Sequence, residues 1–169
     1  MKGVWTVDSI EEACLRSRGG SHGSWPWTRK MLAKADEQFR GVWSERSITC
    51  DAALDILLPS HAGEPCKGDQ LTLVGDHGAT VRDAAATLTT LGDAYERNNP
   101  SCAERIGFAV DAPFTRIIIA TAPLDWEEYA RVAPVAGGLY CIDGFHRLVA
   151  WAKAGRLTGE VRLDIWLAG

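Results

Sequence analysis

Between Leu139 and Gly155 the chain runs from an apolar strand through an Asp-Gly joint straight into a helix. Leu139-Tyr140-Cys141-Ile142 is strand-forming, and Phe145–Ala154 carries a helical pattern that Gly155 stops. With no spacer between the two elements, residues 143–147 sit at a strand end and a helix start together. Gly144 lets backbone approach a ligand closely, and the N–H groups of the first helical turn, with the helix dipole, attract an anion. Arg147 adds a planar, bidentate donor on that turn. Asp143, at the strand end, can accept a hydroxyl proton or hold a metal-bound water.

Mixed elements surround this joint. Ser9-Ile10-Glu11-Glu12 reads as a capping box for a helix over about 9–18, closed by Gly19-Gly20. Trp27, Met31, Ala35, Phe39 and Val42 recur at three- and four-residue steps, predicting a helix over about 26–43 with Pro26 in its first turn. Residues 50–58 predict a short helix ended by Pro59, and 60–69 a surface loop. Residues 70–74 read as a strand, and Thr80-Val81-Arg82-Asp83 opens a helix with Val81, Ala84, Ala85, Leu88, Leu91 and Tyr95 on one face. Residues 106–110 and 114–121 read as paired strands joined across Asp111-Ala112-Pro113. A short helix over 124–131 and an alternating, half-buried strand over 161–167 complete the pattern. The expected fold is α+β, with a helical N-terminal part (1–66) packed on an α+β core (67–169) as one compact unit.

Composition removes several classes. With 46% hydrophobic and 24% charged residues, the chain of 169 residues is too apolar for intrinsic disorder and long enough to bury a sizeable core unaided. It has neither an 18-residue apolar run nor a signal-peptide core at its start, so a soluble cytoplasmic protein without a membrane partner is expected. Net charge is −4 and the basic residues are scattered, which disfavours a nucleic-acid partner. The five cysteines form no CxxC pair, and reduced thiols in core or surface positions are expected. The seven tryptophans should sit in the core or at seams between elements. No G-x-S-x-G, H-E-x-x-H, G-x-x-x-x-G-K-[ST] or G-x-G-x-x-G pattern occurs. Elbow-type serine hydrolases, zincins, P-loop NTPases and standard dinucleotide enzymes are therefore set aside.

The segment Asp143-Gly144-Phe145-His146-Arg147-Leu148-Val149-Ala150, with Gly155 closing its helix, resembles the D-G-x-H-R-x-x-A-x-x-x-x-G motif of the ParB/sulfiredoxin-like superfamily. The resemblance covers roughly residues 114–167 and implies a mixed-sheet core with the strand at 161–167 following the motif helix. It implies a nucleotide-phosphate pocket formed by Gly144, His146 and Arg147. In the free-standing amino-acid kinases of the group the motif's acidic residue takes part in phosphoryl transfer, a role that maps onto Asp143. A glutamate on the helix after the preceding strand helps to activate the substrate hydroxyl there, which maps onto Glu127 or Glu128. The G-E-R-R signature and basic domain of the partitioning branch are missing, and Phe145 stands where the sulfiredoxin branch has its cysteine.

The resemblance thus implies a small-molecule enzyme acting on a phosphate- or carboxylate-bearing ligand, with ATP, ADP or another nucleotide and Mg²⁺ as cofactors. Its most concrete form is nucleotide-dependent phosphoryl transfer to an amino-acid-like hydroxyl. The Ala-, Arg-, Gly- and Trp-rich composition is similar to that of actinobacterial proteins and would suit specialised metabolism. The alternatives are a non-catalytic nucleotide- or anion-sensing module and a nucleic-acid-binding regulator. Asp76 and His77, in a strand-to-helix loop, form a second candidate site. His77 and His146 with Asp76 or Asp143 could bind a divalent metal, but no spacing demands it and no tightly bound metal is expected. His22 and His61 read as loop residues.

Overall fold

The computed structural model describes residues 5–17, 25–61 and 71–169. Its organising element is β4 (Ile117–Ala120), four residues that are all fully buried. A strand with no polar face must be covered on both sides. β4 accordingly lies inside a six-stranded mixed sheet with β1 (Trp43–Thr49), β2 (Leu57–Leu58), β3 (Ala79–Thr80), β5 (Tyr140–Asp143) and β6 (Arg162–Ala168). The spatial order is β1-β6-β4-β5-β2-β3. β6 runs parallel to β4, with Ile117 opposite Ile165, and antiparallel to β1, with Trp43 opposite Ala168. β5 runs antiparallel to β4 with an irregularity between Ile118 and Ile119, and parallel to β2.

Helices cover both faces. Ile118, Ala120, Tyr140, Ile142 and Trp166 pack with Ile10, Met31, Leu32 and Ala35 of α1 (Val7–Ser17) and α2 (Trp25–Gln38). Ile117, Ile119, Cys141, Leu163 and Ile165 point the other way. They meet α3 (Cys50–Leu54), α4 (Val81–Leu91), α5 (Asp93–Asn98), α6 (Pro100–Val110) and α7 (Phe145–Lys153). The alternation along β4 is the period-2 geometry of a strand, and here both sets are apolar because both faces are covered. Thr80 caps α4 through its Oγ1, which accepts from the Asp83 N–H at 3.1 Å. No helix among the described residues is long and apolar enough to cross a membrane.

The mixed α+β class follows the expectation, whereas several elements differ. Residues 106–110 are the end of α6, not a strand, so 114–121 has no hairpin partner there. Ile106 and Ala109 are buried while Gly107 and Phe108 are exposed, a helical spacing that a five-residue window read as an apolar run. Leu71–Val74 form no strand, though Leu73 and Val74 are buried; Gln70 lies outside the described residues. Residues 43–49 are β1, and 57–58 are β2 rather than helix, so the sheet takes strands from both sides of position 66. Gly92, at φ +50°, splits the helix expected up to Asn98-Asn99-Pro100 into α4 and α5. α1 starts earlier than expected: Ser9 lies inside it and exchanges hydrogen bonds with Thr6. The helix expected at 124–131 is a single 3-10 turn, Glu127–Tyr129. β6 belongs to the same sheet as β5 but stands one strand away, with β4 between them. The expected Gly19-Gly20 stop, His22 and most of the loop at 60–69 lie outside the described residues.

Candidate functional site

Gly144 makes the sharp passage from β5 into α7 at φ +123°. A Cβ there would lie 2.5 Å from Ile117 Cγ2, so packing against β4 as well as backbone conformation requires glycine. No side chain caps the start of α7. Its first turn and Asp143 open into a cavity of about 1150 Å³.

The cavity wall comes from elements far apart in sequence. α2 contributes Trp27 and Lys30, the segment after β2 contributes Ser60 and His61, and α6 contributes Arg105 and Phe108. The 3-10 turn contributes Trp126, Glu127 and Glu128, and the strand–helix joint contributes Asp143, Gly144, His146 and Arg147. All the sequence-predicted residues of the D-G-F-H-R segment, and both glutamates, therefore face one cavity. Asp76 and His77 are exposed and line no part of it; Asp76 pairs instead with Arg131 at 2.7 Å.

The 3-10 turn is held firmly. Tyr129 Oη donates to the Cys141 carbonyl on β5, and burial pushes its phenol well above the usual tyrosine range. The Ser60 N–H donates to the Glu128 carbonyl at 3.1 Å, and Gln38 Nε2 donates to the Pro123 carbonyl at 2.9 Å. Two buried polar atoms of this turn, the Trp126 Nε1 donor and the Glu128 Oε2 acceptor, have no hydrogen-bond partner among the described residues. Such atoms are rare in folded proteins, and an ordered water or a bound polar group at this turn would satisfy them.

Arg147 lines the cavity and is also engaged within the fold. Its Nη1 donates to Thr115 Oγ1 and, at 2.8 Å, to the Arg116 carbonyl; its Nη2 donates to Asp143 Oδ2 at 2.7 Å. Asp143 Oδ1 in turn accepts from Thr28 Oγ1 of α2 at 3.3 Å. The fork therefore ties the segment entering β4 to β5 and α7. Lys30 and Arg105 are the other two cationic side chains in the cavity wall.

His61 lies outside any helix or strand, as expected of a loop residue, and stands in the cavity wall. Its ring stacks on Phe145 at 4.0 Å and meets His146 edge-on at 5.1 Å. Its Nε2 lies 3.5 Å from Cys102 Sγ. Burial, reinforced by the nearby Arg105 charge, brings its pKa down to about 4, so the ring is neutral near pH 7. Cys102 is disulfide-bonded, against the expectation of five reduced thiols, and its partner lies outside the described residues. His61, Lys30 and Arg105 carry no local sequence signal; only the fold brings them to the D-G-F-H-R joint.

The protein is thus a three-layer α+β protein with a charged, aromatic-rimmed cavity at a strand–helix joint. The sequence matches the model of a family described as a family of unknown function, DUF6309, over residues 21–169, and the chain belongs to that family. No curated protein and no solved structure matches it.

Proposed function

We propose that the protein is a small-molecule enzyme whose phosphate- or carboxylate-bearing ligand occupies this cavity. The observation that carries the reading is the convergence, in one concave space, of the α7 N-terminus, Lys30 and Arg105 with Glu127, Glu128 and His146. The volume suits a ligand of nucleotide size. The backbone N–H groups at the start of α7, with Lys30 and Arg105, bind the anionic group. Glu128, on the clamped turn, accepts a proton from the substrate hydroxyl, and Trp126 Nε1 donates to a ligand oxygen. Asp143 and Arg147 position the joint, and His146 stands beside it as a second proton carrier.

The narrower form, drawn from the ParB/sulfiredoxin-like resemblance, is nucleotide-dependent phosphoryl transfer to an amino-acid-like hydroxyl. A bound nucleotide with Mg²⁺ would supply the phosphoryl group. The residues present fit it: cations for phosphates, and the carboxylates of Glu127 and Glu128 for Mg²⁺ and the hydroxyl. A second reading, an anion-sensing module without chemistry, is favoured by the engagement of Asp143 and Arg147 in internal hydrogen bonds.

Thermal-shift measurements with ATP, ADP and CTP, each with and without Mg²⁺, against inorganic phosphate and free amino acids, test both. A ligand at 100-fold its Kd stabilises the fold by about 2.7 kcal/mol. Lys30→Ala and Arg105→Ala should reduce that shift. Glu128→Gln should keep it while slowing turnover by roughly a hundredfold or more. Binding without turnover selects the sensing module, and the absence of any anion-dependent shift removes both readings.

A further inference from the structure

Three potential metal ligands meet at the inner wall of the cavity: His61 after β2, Cys102 on α6 and His146 on α7. One ligand atom of each lies within 4.8 Å of the others. We infer that these residues form a zinc site that assembles when the disulfide at Cys102 is reduced.

The spacing of the His61–Cys102 pair fits the ion, and the spread of up to 4.8 Å across all three atoms closes by side-chain adjustment as the metal binds. Tetrahedral zinc with a Zn–S bond of about 2.3 Å and Zn–N bonds of about 2.0–2.1 Å holds sulfur and nitrogen about 3.5 Å apart. His61 Nε2 and Cys102 Sγ are 3.5 Å apart. The two imidazoles stand at 77° to each other, so they can converge on one point instead of stacking. Phe145 lies flat against His61 and fixes its ring plane, as outer groups do around metal centres. Two imidazoles and a thiolate are a donor set suited to zinc, not to magnesium or calcium.

The placement also sets the coordination. Cys102 is fully buried, whereas His61 and His146 both line the cavity. The fourth position therefore faces the cavity and takes water or an anionic group of the ligand, the pattern of open zinc sites. Zinc bound to one thiolate keeps a net charge of +1. Glu127 and Glu128 across the cavity favour that charge, and Arg105 opposes it.

The redox step balances simply. A dithiol reductant gives two electrons and two protons to the disulfide, producing two protein thiols and becoming a disulfide itself. Zn²⁺ then takes the place of the Cys102 thiol proton, which goes to solvent. Reoxidation reverses both steps and releases the metal.

The test uses the full chain, reduced with a water-soluble phosphine or left oxidised, and then equilibrated with Zn²⁺ or Co²⁺. Reduced protein should retain one equivalent of zinc by elemental analysis and oxidised protein none. With cobalt, the reduced protein should show a thiolate-to-metal charge-transfer band and the strong visible bands of tetrahedral coordination. His61→Ala and His146→Ala should each weaken binding at least about tenfold. Cys102→Ser should abolish the charge-transfer band. Should Cys102→Ser fail to fold, the reduced and oxidised wild-type cobalt spectra decide alone. Reduced wild type that binds no metal, or binding unchanged in His61→Ala, overturns the inference. The nucleotide measurements are made on oxidised, zinc-free protein, so the two proposals fail separately.

Discussion

Arg147 donates through Nη2 to Asp143 Oδ2 at 2.7 Å, one helical turn away, and the two side chains are only 18% and 10% exposed. A pair this buried is costly to break, because removing one partner strands the other's charge. Arg147→Ala should therefore destabilise the fold by about 3–5 kcal/mol, read as a lower urea midpoint. Arg147→Lys should recover only part of this, since one ammonium cannot reach Thr115, the Arg116 carbonyl and Asp143 together. Wild-type stability in Arg147→Ala would show the pair to be dispensable.

Gly144→Ala adds a methyl that meets Ile117 Cγ2 at 2.5 Å, on a residue held at φ +123°. Strain and overpacking together should cost about 2–4 kcal/mol. The variant should also bind anions more weakly, because the joint must move to relieve the contact. A melting curve and the phosphate thermal shift read the two effects separately.

Much of this site was legible in the chain, and the part that was not has a physical reason. The strand–Asp-Gly–helix unit is local, with its pattern, turn and helix stop within seventeen consecutive residues, and it folds as read. Glu127 and Glu128 also reach the cavity. For Arg147 the sequence shows a guanidinium beside a turn but not the Thr115 and Arg116 acceptors that also engage it. His61, Lys30 and Arg105 join the site through sheet order and helix docking, which no local window contains. The strand expected at 106–110 failed because a short apolar run fits both periods, and β1 was missed because Ser44, Glu45, Arg46 and Ser47 leave an edge strand with little apolar signal.

Tyr95 gives a pH signature of the core. It is buried on the α4–α7 face, and burial raises its phenol from 10.0 to about 12. Between those values the unfolded chain has lost the proton and the native state still holds it, so stability falls as pH rises through the window. The loss should be on the order of 2–3 kcal/mol, and Tyr95→Phe should lack it. Urea titrations of both proteins across that range check the slope.

Cys141 should be chemically inert in the native protein. Burial, reinforced by the Asp143 charge, pushes its thiol far above the usual range, which leaves almost no thiolate. Iodoacetamide at mildly alkaline pH should leave it unlabelled until urea unfolds the chain, as followed by peptide mass spectrometry. Rapid native labelling would mean that β5 opens readily.

The place of β6 between β1 and β4 bears on how the protein is made. Of the six strands, β6 is synthesised after all the others, so on the ribosome β1 waits without its partner and Ile117–Ala120 keeps one hydrogen-bonding edge open. Contacts this distant in sequence form slowly, and an apolar strand with an open edge invites pairing with another chain. The nascent polypeptide is therefore most vulnerable to edge-to-edge pairing just before residues 162–168 emerge and close both open edges at once.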